Sequence, residues 1–233
     1  MKLEKITKRS KTAMNRRYGD ACAAAHALEL IGDRWALLVA RELMLGPRRF
    51  SGIRRGLPGI SANVLTQRLE ELEAMAVVER VEEDGVIRYA LTPWGQQLEE
   101  VTQALGRWGA RSPAHDPTLP FGASSLMLSL RTMMDSEAAR TGGDYEAAII
   151  VGKDAFRLVM DDGALRITRG KAPAPAFTLN VATANTILPS LYGSQPLAIS
   201  EKQGVIAAQG DRALAQRFLN LFALPEQIGG NNR

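Results

Sequence analysis

The sequence predicts an α+β protein in two parts. One is N-terminal, mostly helical and closed by a β-hairpin; the other is C-terminal and mixes short strands with helices. Three observations carry this. Across residues 21–92, apolar residues recur at helical spacing through four stretches, then give way to two strand-like runs joined by Asp84-Gly85. Residues 113–122 (PAHDPTLPFG) hold three prolines and read as a linker. Beyond it, runs of strand length alternate with helical ones. At 233 residues, two modest domains fit better than one large one.

The first helix is expected over residues 21–31. Asp33 is placed to cap a second helix with the apolar stripe Trp35, Leu38, Val39 and Leu43, which Gly46-Pro47 ends. Phe50, Ile53 and Leu57 give a short third helix, and Pro58-Gly59 the turn after it. Ser61 caps a fourth helix, with Ile60 and Leu65 as a hydrophobic staple. Leu65, Leu69, Leu72 and Ala76 fall on one face of that helix, while Asn63, Thr66, Gln67 and Glu70 fall away from it. Strands follow at 77–82 and 86–91; Thr92 then caps, and Pro93 opens, a fifth helix running to about residue 112. This order makes the first part a winged helix-turn-helix. After the linker, a helix is expected over 124–140 and strands over 147–151, 155–160, 164–168 and 177–181, with a tight turn at Asp161-Asp162-Gly163. A helix over 184–192, a strand over 204–208 and a helix over 212–222 complete the second part. The expected domains are a basic arm (1–20), the winged helix-turn-helix with its closing helix (21–112), the linker (113–122) and an α+β domain (123–233).

A hydrophobic content of 45% and a charged content of 23% are those of a globular protein and argue against a disordered chain. No apolar run approaches the about 20 residues a membrane helix needs, and residues 1–17 lack the apolar core of a secretory signal. One cysteine, Cys22, excludes an internal disulfide framework and suits a reducing cytoplasm, the expected location. Residues 1–112 carry 18 Lys and Arg against 14 Asp and Glu, whereas residues 113–233 carry 11 of each. The whole positive excess therefore lies in the first part, where a phosphate-binding surface would use it.

A helix-turn-helix sets the amino end of its second helix into the major groove, where short polar side chains meet base edges and cations meet phosphates. Asn63, Thr66 and Gln67 are of the first kind, with Ser51 and Ser61 beside them; Arg48, Arg49, Arg54, Arg55 and Arg68 are of the second. Glu70, Glu71 and Glu73 confine any phosphate approach to the first turns. Arg80 and Arg88 are the only basic groups on an otherwise acidic wing, and Arg88 is its candidate DNA contact. The alternative for each residue taken singly is a solvated polar helix.

Residues 24–108 resemble the HxlR family of bacterial winged-helix regulators, relatives of the MarR regulators. The resemblance rests on Leu30-Ile31-Gly32-Asp33-Arg34-Trp35, Gly46-Pro47-Arg48-Arg49-Phe50, Gly59-Ile60-Ser61, Leu65-Thr66-Gln67-Arg68-Leu69, Leu72-Glu73, Tyr89-Ala90-Leu91-Thr92, Gly95 and Trp108. It implies a homodimer that reads a roughly two-fold symmetric double-stranded DNA operator.

Trp94, Leu98, Val101, Leu105 and Trp108 recur at alternating steps of four and three along the fifth helix, an a/d seam suited to a second copy. The alternative is packing on its own domain. Cys22 precedes the first helix, near where many such regulators carry a cysteine, some of which sense oxidants or electrophiles, and Arg16 and Arg17 lie close enough in sequence to lower its pKa. It is a candidate redox thiol, with a small buried hydrophobe as the alternative.

Residues 156–222 resemble the sterol carrier protein fold in their strand, Asp-Gly turn, strand, proline-bearing loop, helix ending in Tyr192-Gly193, and closing Gly210-Asp211 helix. That resemblance implies an apolar tunnel, with Leu126, Leu130, Met133, Met134, Leu188, Leu191, Phe218 and Phe222 as candidate lining. A filled core is the alternative. No paired nucleophile and base, metal-ligand spacing or phosphate-cradling glycine loop is evident, so neither an enzyme nor a cofactor is expected. The expected function is a dimeric DNA-binding transcriptional regulator whose second domain binds an apolar effector or extends the dimer. The competing expectation is a lipid carrier that uses the winged helix as an interaction module.

Overall fold

The computed structural model describes residues 18–229. The expected basic arm therefore lies largely outside the described residues, as do Arg16 and Arg17. By packing, the chain divides into two units. One is the chain up to Leu43 together with Arg48–Gln96; the other is Met44–Pro47 together with the chain from Gln97 onward.

In the first unit, α1 (Ala23–Ile31), α2 (Ala36–Leu43), α3 (Phe50–Gly56) and α4 (Ala62–Ala74) precede β1 (Val78–Glu83), β2 (Val86–Leu91) and a short α5 (Pro93–Gln96). Val39, Ile53, Leu57, Ile60, Leu65, Leu69 and Leu72 are buried together as its core. The strands pair antiparallel with Glu83 opposite Val86, and Asp84 and Gly85 both take positive φ, 53° and 72°, as a two-residue hairpin turn of the primed type requires. The Thr92 hydroxyl accepts the Gly95 amide at 3.0 Å, the cap expected for the helix after the wing.

At the start of α2 the Ala36 amide bonds the Asp33 carbonyl, and the Asp33 carboxylate pairs with Arg68. One local expectation needs correction. Ala76 is not on the apolar face of α4. It lies past the helix end with φ 56°, its amide bonded to the Glu73 carbonyl at 3.0 Å and that of Val77 to the Leu72 carbonyl at 2.9 Å. This is a Schellman stop, with alanine where glycine is usual.

The second unit holds α6 (Leu98–Ala110), α7 (Ala123–Met133), α8 (Ser136–Arg140), β3 (Tyr145–Val151), β4 (Asp154–Asp161), β5 (Ala164–Arg169) and β6 (Phe177–Val181). It continues with a 3-10 turn (Ala184–Ile187), α9 (Leu188–Tyr192), α10 (Leu197–Lys202), β7 (Ile206–Gly210) and α11 (Arg212–Leu219). The strands form one sheet in the order β5-β4-β3-β6-β7, antiparallel except where β6 lies beside β3. Alternate residues (Ile149, Phe156, Leu158, Phe177 and Leu179 among them) are buried, so the sheet presents one face to the core.

The helix expected over 124–140 is interrupted. Met134 is extended and bridges Phe222, and the Asp135 carboxylate then accepts the Glu137 and Ala138 amides to start α8. The fifth helix likewise breaks at Gln97, so that α5 and α6 belong to different units. The sequence reading missed α10, which follows Pro196. It placed the last strand two residues early, because Gly204 takes φ 69° as part of the preceding turn. The end of the proline-bearing segment is pinned: the Asn185 side chain donates to the Leu119 carbonyl at 3.0 Å and accepts the Phe121 amide at 2.9 Å.

Candidate nucleic-acid interface

The α3–turn–α4 element is fixed from within. Ile53, Leu57, Ile60, Leu65 and Leu69 bury one side of it. Gly59, at φ 89°, makes the turn, and the Ser61 hydroxyl caps α4 by accepting the Val64 amide at 3.2 Å. Anchored that way, the first turns of α4 hold Asn63, Thr66 and Gln67 in solvent, with Ser61 beside them. The Gln67 amide donates to Glu71 at 3.0 Å, one turn on, so its side chain is laid along the helix.

The arginines divide by environment. Arg49, Arg54 and Arg55 are exposed, as is Ser51; Phe50, Ser51, Arg54 and Arg55 line an open depression on α3. Arg48 and Arg68, expected among the phosphate contacts, are instead buried and paired. The Arg48 guanidinium meets the fully buried Glu42, which Arg41 also reaches at 3.2 Å. Gly56 packs against this pair so closely that a Cβ there would collide with a Glu42 oxygen. Arg68 pairs with Asp33 and, at 2.7 Å, with Glu71, tying α4 to the turn before α2. The physical reason is common to both: an arginine whose side chain is buried, Arg48 from the connection before α3 and Arg68 from α4, must bring its charge to a carboxylate. Nothing in the residue type separates these two from Arg49, Arg54 and Arg55. The usable signal was spacing, because Arg68 shares the face of Leu65 and Leu72.

The wing is tied to the helix-turn-helix by its backbone. Arg48 and Tyr89 exchange amide–carbonyl bonds of 2.9 and 2.8 Å, a contact the sequence reading missed. Its cations are compensated. Arg80 forks onto Glu73 at 2.7 and 3.0 Å and lies over the Tyr89 ring, and Arg88 pairs with Glu83 at 2.9 Å. Glu79, Glu82, Glu83 and Asp84 are exposed, so the wing presents mostly negative charge. The positive surface of the first unit's helix-turn-helix is therefore the outer side of α3, next in sequence to the polar turns of α4.

The residues expected at a dimer seam fall on both units, Trp94 on α5 and the rest on α6. Trp94, Val101, Leu105 and Trp108 are 49, 44, 48 and 75% exposed. The opposite side of α6 packs on α7, where Glu99 meets Arg131 at 2.7 Å and Gly106 faces Thr132. Burial raises the pKa of Glu99, against the opposing effect of Arg131.

Cys22 is exposed and immediately precedes α1. Hydrogen bonding from the Ala25 and then the Ala24 backbone lowers its thiol pKa. Seven of the eight candidate tunnel residues, all but Met133, belong to or pack against the core of the second unit. Phe218 sits between Phe177 and Phe222, at ring separations of 5.5 and 5.0 Å. Among the described residues no group of three or more His, Cys, Asp or Glu comes together as a metal site, and no helix is long and apolar enough to cross a membrane.

This fold and surface define a winged helix-turn-helix of the DNA-binding type. Residues 30–116 match the family described as HxlR-like helix-turn-helix. The chain is 37% identical over 86 residues to the uncharacterised HTH-type transcriptional regulator YtcD of Bacillus subtilis (strain 168), covering 36% of this chain and 68% of that protein. It is 40% identical over 85 residues to the HTH-type transcriptional regulator YodB of the same organism, covering 35% and 76%. A crystal structure of quinone-bound YodB from B. subtilis aligns at 40% identity over 36% of this chain and 91% of that one, with a TM-score of 0.33. Through this region the chain belongs to the HxlR family of helix-turn-helix transcriptional regulators.

Proposed function

We propose that the protein is a homodimer that reads a two-fold symmetric double-stranded DNA operator with the first turns of α4, positioned by Arg49, Arg54 and Arg55. The observation that carries this is the sorting of polar groups. Asn63, Thr66, Gln67 and the α3 arginines face solvent, while Arg48 and Arg68 are spent on holding the element rigid. A preset surface of this kind can meet base edges without first ordering itself. Operator binding is the test, measured on genomic fragments by fluorescence anisotropy at two salt concentrations. A regulator gives a sequence-specific complex about 10³-fold or more tighter than its nonspecific binding. Uniformly weak, steeply salt-dependent affinity for every fragment instead supports the carrier with an interaction module.

The dimer reading rests on α6, whose Val101, Leu105 and Trp108 are exposed at helical spacing while its other side is occupied by α7. Because α6 is built into the second unit, extension of the dimer is the role proposed first for that unit. An apolar effector is the second. The sterol-carrier-like reading is supported by a sheet with one buried face, whereas the close packing of Leu126, Leu130, Leu191 and Phe218 in the interior suits the filled-core alternative. Mass spectrometry of an organic extract of the purified protein tests it, and an extract with no co-purifying acyl chain or sterol counts against it.

A redox role for Cys22 is supported by its exposure and by the amides that stabilise its thiolate. Its alkylation by iodoacetamide is expected to reach half-maximal rate at a lower pH than that of an unstructured peptide carrying the same thiol. Coincident profiles would remove the basis for a sensing role.

A further inference from the structure

A glutamine on a solvent-facing helix surface ordinarily samples many rotamers, and ordering it on a base opposes binding. Gln67 is exposed on α4, yet its amide is already held: Nε2 donates to Glu71 Oε1 at 3.0 Å. A bond between side chains one turn apart is weak when both are mobile. Here the acceptor is fixed from behind. The Arg68 guanidinium donates through Nη2 to the same Oε1 at 3.3 Å, and its Nη1 meets Glu71 Oε2 at 2.7 Å. Arg68 is itself buried, and the same Nη1 pairs with Asp33 in the turn before α2. Four side chains, Asp33, Arg68, Glu71 and Gln67, thus form a chain within the first unit, from that turn through a buried guanidinium to the polar surface of α4. Two carboxylates on one guanidinium anchor it by charge as well as by hydrogen bonds.

The direction of the last bond decides what Gln67 offers. With one amide hydrogen given to Glu71, the group retains Oε1 and its second hydrogen, an acceptor beside a donor. In the major groove adenine presents the reverse, the N6 amino donor beside the N7 acceptor, whereas guanine presents two acceptors. We infer that Glu71 is a positioning residue for base reading: anchored on Arg68, it holds the Gln67 amide set for adenine, so that one A·T pair in each half-site is read by a glutamine that Glu71 orients. The inference rests on the proposed reading of DNA by α4. It also gives a carboxylate a constructive place beside DNA, since Arg68 offsets part of its charge while its oxygen still accepts from Gln67.

The test measures the full chain by fluorescence anisotropy on a selected operator, on random DNA and on operators in which each A·T pair is replaced in turn by G·C. In the wild type one such replacement per half-site is expected to weaken binding about tenfold or more, and to cost nothing further in Gln67→Ala. Glu71→Ala should reduce that discrimination several-fold and add no loss in the Gln67→Ala background. Its affinity for random DNA should be no weaker than that of the wild type, because a negative charge has been removed; a merely structural role would weaken both DNAs. Glu71→Gln, which keeps an acceptor oxygen at the same reach, should retain most of the discrimination, and Glu71→Leu stands in should alanine unfold the protein. Undiminished discrimination in Glu71→Ala, equal losses in the two Gln67 backgrounds, or a Glu71→Gln protein no better than alanine overturns the role. Specific binding that depends on Gln67 at no A·T pair overturns the adenine assignment. The hold itself is read without DNA, by NMR of the Gln67 side-chain amide, assigned by its absence in Gln67→Ala. Its resonance should shift in Glu71→Ala, and an unshifted one overturns the inference. A shifted resonance in a protein that selects no operator sinks the DNA-binding reading instead.

Discussion

Arg48 and Arg54 are six positions apart in one basic stretch, yet one is buried on Glu42 and the other reaches solvent. The difference sets opposite expectations for their loss. Arg54→Ala should weaken binding to all DNA alike and flatten the salt dependence by about one unit of slope, as loss of one phosphate contact does. Asn63→Ala and Gln67→Ala should each cost about 1–3 kcal/mol on operator and little on random DNA. Equal losses on both DNAs for all three variants would remove α4 as the reader. Arg48→Ala should instead lower stability by about 3–5 kcal/mol, because Glu42 is left buried without its main partner. Thermal denaturation without DNA checks this, and an unchanged melting temperature contradicts it. Sequence alone gave residue type and helical face. It could not reveal the carboxylates that Arg48 and Arg68 find, since Glu42 and Asp33 approach them only through the fold.

At the level of elements, caps and turns were legible because their chemistry is local. Ser61, Asp84-Gly85 and Thr92 each serve as their residue types require. Where distant partners intervene, local reading failed. Met134 leaves its helix to bridge Phe222, and the helix after the wing is divided at Gln97 as its two parts join different units. Ala76 shows the cost of a stop made without glycine. A left-handed alanine is strained by about 1 kcal/mol, so Ala76→Gly should raise stability by up to that amount, less whatever glycine adds to the unfolded chain's freedom. Urea denaturation of the two proteins decides the sign. On α6, Val101→Asp together with Leu105→Asp should leave the monomer folded, both positions being exposed, while placing uncompensated charge in any seam. Sedimentation is expected to give a monomer with reduced operator affinity, and an unchanged dimer would exclude this face.

For the whole molecule, the sequence marks its division at the proline-bearing linker, whereas packing divides it earlier, at Gln97, and assigns Met44–Pro47 to the second unit. Linker composition is visible in sequence; the burial of Leu45 is not, because its neighbours come from segments far along the chain. A fragment ending at Ser112 would therefore lose the α7 support of α6 and the core that receives Leu45. It is expected to bind operator more weakly than the full chain, and equal affinity would show that the second unit is dispensable for reading DNA. The most direct measurement is a hydroxyl-radical footprint of the full chain on a genomic fragment it selects. A dimer reading DNA through two copies of α4 predicts protection of two symmetry-related half-sites centred one helical turn, about 10 bp, or a small multiple of it apart, lost in Gln67→Ala but kept in Cys22→Ser. A single unsymmetric patch, or protection that Gln67→Ala leaves intact, would contradict it.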